Sequence, residues 1–307
     1  MLGFRTDWLA ACFWLITGAV FLVTAMENAR AESNTSAQSA AKLRERRTSA
    51  MDLEVGGDLL GLPAGTTRYI MRDDLLALPQ VTFKVTDDPN FTGPTQVRGV
   101  LLEELARELG AAPAPDLVVA ICDDKYRANY PREYLTQHHP LLVLEVNGKP
   151  PSGWPKDSGG HEFDMGPYMI SHATFTPSFK ILSHKDEPQV PWGVVHLEFR
   201  NEKAVFSAIA PRGPQADKGL VQAGYKIAQQ NCFRCHNLNA AGEQKSWAPW
   251  EVLSAIAAGL PEWFAAYVRN PKSKNPQAQM PASPEYDDKT THALIAYFRT
   301  FSHPEKQ

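Results

Sequence analysis

The sequence predicts two folded regions, a mixed and strand-rich α+β region followed by an all-α region. A chain of 307 residues is long for a single domain. Short apolar runs recur between Pro- and Gly-rich loops over residues 53–209, in an irregular order that favours a mixed sheet over a wound parallel one. Helical periodicity prevails over residues 218–307, and the intervening "APRGPQAD" at 210–217 has the composition of a linker.

The first 31 residues have the pattern of a secretory signal peptide. Arg5 precedes an uncharged apolar run from Trp8 to Ala25, and Ala29-Arg30-Ala31 places small residues at a cleavage site. The alternative is an uncleaved anchor, because an apolar run of about 18 residues is near the minimum that spans a bilayer. The sequence therefore predicts an exported, periplasmic protein, membrane-anchored only if residues 8–25 are retained. Residues 32–52 are polar and predict a tether.

The α+β region contains six runs that predict strands and two that predict helical segments. The strand-like runs are "TTRYIM", "VTFKV", "LVVAI", "LLVLEV", "GPYMISH" and "WGVVHLEF". One helical turn is predicted from Asp73 to the residue before Pro79, and a longer helix in "GVLLEELARELG", where leucines recur at helical spacing and Gly110 ends the run.

The all-α region predicts four helices. They lie at about 216–231, in "PWEVLSAIAAG", in "PEWFAAYVRN", and from Asp287 or Asp288 through Phe301. The last helix has an acidic first turn and an apolar face, which is typical of a helix that packs inward. A region of this size can enclose one small cofactor.

Cys232-x-x-Cys-His236 is the pattern to which a haem c is attached covalently. A redox dithiol or a zinc site is the alternative, but zinc requires two more ligands; His292 and His303 are the only other histidines after the motif, and no further cysteine follows. We therefore predict one covalent haem c, bound through Cys232 and Cys235, with His236 as an axial iron ligand.

Met280 is the candidate for the second axial ligand. It lies in the polar, proline-bounded segment "NPQAQMPASPEY", where a methionine has little packing reason to occur. His292 is the competitor, but its place on the polar side of the last helix is typical of a solvated histidine. We predict His236 and Met280 as the two axial ligands.

Residues 216–302 resemble a monohaem class I cytochrome c. The resemblance rests on a first helix with Gly224-Tyr225, on "CFRCH", on "NPKSKNPQAQMP" and on a last helix with Tyr297-Phe298. It implies that the last helix crosses the first at its glycine. It also implies a low-spin His/Met haem that transfers single electrons.

Residues 64–200 resemble a sulfite-oxidase-type molybdopterin-binding domain. The resemblance rests on the order of the strands, on "GVLLEELARELG", on a strand ending near Asp124-Lys125-Tyr126 and on Asn147-Gly148. In that family the cysteine that binds molybdenum lies in the loop that is here "TDDPNFTGPTQV", which contains none, and Cys122 is one strand too late to replace it. The resemblance without this cysteine predicts a binding or docking module.

After the predicted signal peptide, which contains Cys12, the remaining cysteine and histidines predict no further site. Cys122 is expected to be a buried thiol at a strand end, and neighbouring carboxylates disfavour its thiolate. The spacing of the histidines in the α+β region fits no zinc signature, so they are expected to be ordinary surface residues. They are His138, His139, His161, His172, His184 and His196.

Charge excludes a nucleic-acid partner, since the net charge is −3 and no basic surface is indicated. Two main functions remain from the sequence. One is an exported electron carrier whose α+β region docks the haem to a periplasmic or membrane redox protein. The other is a molybdenum oxidoreductase that acts on sulfite, another small oxoanion or a sulfoxide, and whose electrons leave through the haem. A haem sensor or peroxidase is a third, and it requires an open axial position.

Overall fold

The fold comes from a computed structural model, which describes residues 42–59, 61–111, 116–155, 164–172, 187–239, 241–242 and 245–302. The chain divides into two units, residues 1–39 and residues 40–307, and every described residue belongs to the second. The predicted signal peptide and residues 32–41 of the predicted tether lie outside the described residues. Residues 44–52 contact the sheet, since the Arg44 and Tyr69 backbones pair and the Tyr168 hydroxyl donates to the Met51 carbonyl oxygen.

One sheet of nine strands organises the described part of the α+β region. In chain order the strands are β1 Leu53–Gly57, β2 Arg68–Ile70, β3 Val81–Val85, β4 Thr95–Leu101, β5 Leu117–Cys122, β6 Arg127–Pro131, β7 Pro140–Val146, β8 Tyr168–His172 and β9 Trp192–Arg200. Their spatial order is β2-β1-β9-β8-β7-β4-β3, and the β5–β6 hairpin joins the sheet through β9. Only the pairing of β1 with β9 is parallel among these strands, which confirms the mixed, strand-rich class.

Four short helices accompany these strands. They are α1 Arg72–Leu76, α2 Leu102–Glu108, α3 Arg132–His138 and α4 Glu202–Phe206. The predicted start of the second helix at Gly99 is wrong, because Gly99 to Leu101 continue strand β4 and pair with β7. A Cβ atom at Gly99 would lie 1.9 Å from the Leu142 carbonyl oxygen, so glycine permits this close strand pairing.

The all-α region contains the four helices that the sequence predicts. They are α5 Gly219–Ile227, α6 Trp250–Gly259, α7 Pro261–Arg269 and α8 Asp288–Phe298. The first is shorter than expected, because the chain widens into a π-type turn at Ala228–Cys232. Asp287 caps the N-terminus of helix α8, and its carboxylate accepts a hydrogen bond from the Thr290 N–H at 2.7 Å. No described helix is long and apolar enough to cross a membrane.

Strand β5 joins the two regions through its side chains. Its six residues are all buried, and successive side chains point to opposite faces. Val118, Ala120 and Cys122 pack into the core of the sheet. The alternate residues, Leu117, Val119 and Ile121, pack into a second cluster together with helices α5 to α8. This second cluster, which we call the helical core, therefore crosses the linker predicted at 210–217.

Helices α5 and α8 cross where Gly224 faces the backbone of α8. A Cβ atom at Gly224 would lie 2.0 Å from the Ala293 carbonyl oxygen and 2.8 Å from the Tyr297 Cβ. Beside this contact the rings of Tyr225 and Tyr297 stack with centroids 5.6 Å apart. The crossing at a glycine agrees with what the cytochrome c resemblance implies.

We expect Gly224→Ala to lower the free energy of unfolding by about 2 to 3 kcal/mol, because the added methyl group forces the two helices apart. Urea denaturation of the holoprotein followed by circular dichroism measures this. The matched control is Gly219→Ala in the same helix, where a Cβ atom meets nothing within 4 Å. Equal denaturation midpoints for the two variants would contradict the close crossing.

Candidate haem site

The segment from Cys232 to His236 forms a tight turn at the end of the widened part of α5. The Cys235 and His236 N–H groups both donate to the Cys232 carbonyl oxygen, at 3.2 and 3.1 Å. Both cysteine side chains are half-buried, and neither is in a disulfide. The turn therefore holds two sulfur atoms and one imidazole within five residues.

The imidazole of His236 is oriented by a hydrogen bond from Nδ1 to the Ala248 carbonyl oxygen at 2.6 Å. Because a carbonyl oxygen only accepts, Nδ1 carries the proton and Nε2 keeps its lone pair. Burial lowers the pKa of His236, and the bond to Ala248 offsets this in part. A neutral imidazole with a carbonyl on its other nitrogen is the usual form of a histidine that ligates a metal.

Met280 lies in the loop between α7 and α8, half-buried against the helical core on which Cys232 also packs. The Ser283 N–H donates to the Val268 carbonyl oxygen at 3.2 Å and fixes this loop to the end of α7. His292 is exposed on α8, as the sequence predicts. The Met280 sulfur is thus the better placed of the two candidates to face the core.

This donor set fits a covalently bound haem. The chemistry requires two thiols close in sequence, an imidazole with a free nitrogen and a soft second ligand from a distant segment. Cys232, Cys235, His236 and Met280 supply these groups, and Cys232 and Met280 both pack against the helical core. Among the residues that the structure describes, no group of three or more His, Cys, Asp or Glu side chains is arranged to hold a metal ion.

The turn from Cys232 to His236, which we call the haem turn, is covered by the α+β region. The Arg127 N–H at the start of β6 donates to the Arg234 carbonyl oxygen at 2.9 Å, and the Arg127 guanidinium lies 5.3 Å from the centroid of the Phe233 ring. Lys245 forms an ion pair with Asp124 and lies 5.7 Å from the centroid of the Tyr126 ring. The β5–β6 hairpin therefore contacts the turn from both its backbone and its side chains.

Gln189 is a second link between the regions and is fully buried. Its amide nitrogen donates to the Gln230 side-chain oxygen at 2.8 Å and to the Asn129 carbonyl oxygen at 2.6 Å. Its side-chain oxygen accepts from the Asn129 N–H at 2.8 Å. Buried polar groups that are fully hydrogen-bonded fix one arrangement of the chain, so this contact specifies the register between β6 and the turn at Ala228–Cys232.

Two charged side chains lie close together at the haem turn. Arg234 belongs to the turn, and Glu187 belongs to the segment before β9. The Arg234 guanidinium donates to the Gln230 carbonyl oxygen and, at 3.4 Å, to the Glu187 carbonyl oxygen. The Glu187 carboxylate accepts from the Tyr286 hydroxyl at 2.7 Å, and the Tyr286 hydroxyl accepts from the Asn231 amide at 2.7 Å. The sequence contains no signal that Glu187 is near the haem motif.

Burial and the nearby charges shift the pKa values of the two cysteine thiols. Burial raises the pKa of the free Cys232 thiol to about 12; Glu187 adds to the rise and Arg234 opposes it. Burial also raises the pKa of the Cys235 thiol, and Lys245 and Arg234 oppose this. Burial, assisted by Glu187, raises the pKa of the Tyr286 hydroxyl well above its ordinary value.

The loop without the expected cysteine is organised around Asp88. This buried carboxylate accepts from the Ser171 hydroxyl at 2.8 Å and from the Asn90 N–H at 2.9 Å. Burial raises its pKa to about 6, and the hydrogen bonds partly oppose the rise. Cys122 is confirmed as a buried thiol at the end of β5; burial and then Asp124 raise its pKa.

The expectation of surface histidines is wrong for His172. This residue is fully buried at the end of β8, and its Nε2 lies 2.9 Å from the Tyr134 hydroxyl. Its ring centroid lies 6.4 Å from that of His138, and burial lowers its pKa well below the ordinary value. The contiguous burial of β8 explains this, and the apolar run that precedes His172 was the available signal. His161 and His184 lie outside the described residues.

Residues 221–302 match the family model described as cytochrome c, so the predicted cytochrome c domain is confirmed and a covalently bound haem c is implied. No curated protein matches the chain. Among solved structures, the crystal structure of the sulfane dehydrogenase SoxCD from Paracoccus pantotrophus is similar, with 15% identity and a TM-score of 0.33. The similarity covers 56% of this chain and 45% of that chain, less than half of its length.

Asp88 makes the stability of the fold depend on pH. Its pKa is about 6 in the folded protein and 3.8 in a model peptide, so between these values the folded state binds a proton that the unfolded state does not. The free energy of unfolding contributed by this group is therefore present at low pH and decreases by about 3 kcal/mol as pH rises through 6. We expect Asp88→Asn to remove this decrease.

Urea denaturation at several pH values between about 4 and 7 measures the effect of Asp88. Ser171→Ala provides a second variant, because the Ser171 hydroxyl lowers the pKa of Asp88 and its loss should enlarge the decrease in stability and extend it to higher pH. Parallel curves for the wild type and Asp88→Asn would show that the buried carboxylate does not titrate as described.

Proposed function

We propose that this chain is an exported electron-transfer protein whose C-terminal domain binds one haem c. Cys232 and Cys235 would hold the haem covalently, and His236 and Met280 would be its axial ligands. The observation that carries the proposal is the His236 hydrogen bond to Ala248, which frees Nε2 within a turn that also holds both thiols. The cytochrome c family match over residues 221–302 supports it.

When bound, a haem c supplies a centre that gains and loses one electron without a change of ligands. The chain's own residues provide attachment, orientation and shielding. The bond to Ala248 fixes the plane and tautomer of the His236 imidazole. Phe233 and Trp250 of the helical core are fully buried beside the haem turn. The core thereby excludes water from the inner side of that turn. The thioether of Met280 is a soft ligand, which favours a raised reduction potential.

The α+β region is proposed as a docking module for a periplasmic or membrane redox protein. A molybdenum enzyme of sulfite-oxidase type is the alternative. The loop of residues 86–94, where such an enzyme would place its cysteine, instead presents Asp88, with its carboxylate engaged by Ser171 and Asn90. Cys122 lies buried in strand β5 with a raised pKa, which disfavours the thiolate that a metal needs. These observations favour the docking module.

The proposed location is the periplasm. The pattern of residues 1–31 supports export, and proteins with a cytochrome c domain typically act outside the cytoplasm. The net charge of the α+β region, −7 over residues 51–215, gives that surface an acidic character that a partner with basic groups would complement.

A metal and haem inventory of the purified protein tests the proposal. We expect one iron per chain and a haem that stays with the protein in acidified acetone, because thioether bonds survive that extraction. Protein matured in a host that makes the molybdenum cofactor should contain no stoichiometric molybdenum. Molybdenum at one atom per chain would support the enzyme instead, and a haem that is extracted would contradict covalent attachment.

The axial ligand is tested by Met280→Leu, which removes the sulfur and preserves apolar volume. We expect loss of the absorption band that methionine ligation gives the oxidised haem, and a lower midpoint potential, because the soft ligand favours the reduced state. The control is His292→Gln on the exposed face of α8. An unchanged spectrum in Met280→Leu, together with a changed one in His292→Gln, would assign the ligand to His292.

A further inference from the structure

We propose that Arg234 and Glu187 form an opposing pair of charges that sets the midpoint potential of the haem, Arg234 raising it and Glu187 lowering it. This inference rests on the proposed function, since it requires a haem attached at Cys232 and Cys235. Neither residue is a ligand. Both would act on the haem through space, and the α+β region determines where both lie.

Arg234 is held next to the haem attachment by its position in the chain and by its contacts. It directly precedes Cys235, and its backbone carbonyl accepts the Arg127 N–H. Its guanidinium does not extend into solvent; it turns back to the Gln230 carbonyl oxygen and reaches the Glu187 carbonyl oxygen. A guanidinium keeps its charge at any pH at which the protein is folded. The haem site thus has a permanent, half-buried positive charge within its own turn.

Glu187 comes from the other region of the chain and reaches the same turn. Its carboxylate is fixed by the Tyr286 hydroxyl, which is itself held by Asn231, the residue before Cys232. The chain at Glu187 is in turn fixed by the buried Gln189, which bonds to Asn129 and Gln230. This negative charge therefore has a defined position relative to the first attachment cysteine.

Arg234 and Glu187 are not the only charges near the turn. Among the described residues, Lys245 forms its ion pair with Asp124, and the Arg127 guanidinium, which keeps its charge, lies over the Phe233 ring. A substitution at Arg234 or Glu187 leaves these other charges in place, so the change in potential reports the charge that was removed. Reduction adds one negative charge to the haem, so a fixed positive charge stabilises the reduced form and a fixed negative charge stabilises the oxidised form.

Because Arg234 and Glu187 are partly buried, we expect their charges to affect the midpoint potential more than surface charges do. Solvent-exposed charges are screened by salt over about 8 to 10 Å, whereas partly buried charges are screened much less. Arg234 and the Glu187 contacts lie at the boundary between the hairpin and the haem turn. We therefore expect their effect on the potential to persist at high ionic strength, unlike that of the exposed lysines Lys272 and Lys274.

The test measures midpoint potentials of the full-length holoprotein by spectroelectrochemistry. We expect Arg234→Gln to lower the potential, Glu187→Gln to raise it, and Arg234→Lys, which keeps the charge, to remain near the wild type. The control is Arg98→Gln, whose side chain pairs with Glu145 on strands β4 and β7 away from the turn, and which should not change the potential. The shifts should remain in high salt.

The outcome distinguishes a charge effect from a structural one. Shifts of the same sign in Arg234→Gln and Glu187→Gln, or shifts no larger than in Arg98→Gln, would overturn the inference. If Arg234→Gln does not fold, the test rests on the other two variants. The midpoint potential should rise in Glu187→Gln and should stay unchanged in Arg234→Lys. A pyridine haemochrome assay separates the two proposals: wild-type protein without haem c contradicts the proposed function, whereas haem c with unshifted potentials contradicts only the charge pair.

Discussion

The hydrogen bond from the Arg127 N–H to the Arg234 carbonyl oxygen is the interaction on which the site's surroundings depend. It fixes the end of the β5–β6 hairpin against the turn that contains both attachment cysteines and His236. The ion pair of Lys245 with Asp124 and the contact of the Arg127 guanidinium with the Phe233 ring add to that backbone contact. The α+β region is consequently part of the environment of the haem site as well as its neighbour in the chain.

This contact is supported by the burial of β5 on both faces. Val118 and Ala120 point into the sheet core, and Leu117 and Val119 point into the helical core, so the strand cannot separate from either layer without exposing apolar surface. A hairpin anchored in this way holds residues 123–127 beside the haem turn. The Arg127 N–H at the start of β6 can then bond to the Arg234 carbonyl oxygen.

Local signals predicted much of the fold and marked the candidate donors. The apolar runs predicted six of the nine described strands and missed β1, β4 and β6. Cys232, Cys235, His236 and Met280 were named as candidates because spacing or sequence context marks them. The rest depends on contacts between residues distant in sequence. Glu187 and Gln189 precede the haem motif by more than 40 residues, and nothing in their segment indicates a partner. His172 was expected at the surface, although the apolar run before it was a signal of a buried strand; that helix α3 packs beside it depends on a contact distant in sequence.

Buried hydrogen bonds between distant segments fix the geometry around the haem turn. The Gln189 side chain bonds to the Asn129 backbone and to the Gln230 side chain, and the Asp88 carboxylate accepts from the Ser171 hydroxyl. Polar groups that bond to one another in this way favour one arrangement of the segments that carry them. For the proposed electron carrier, a fixed arrangement around the haem would keep its potential and its exposure to a partner constant from one transfer to the next.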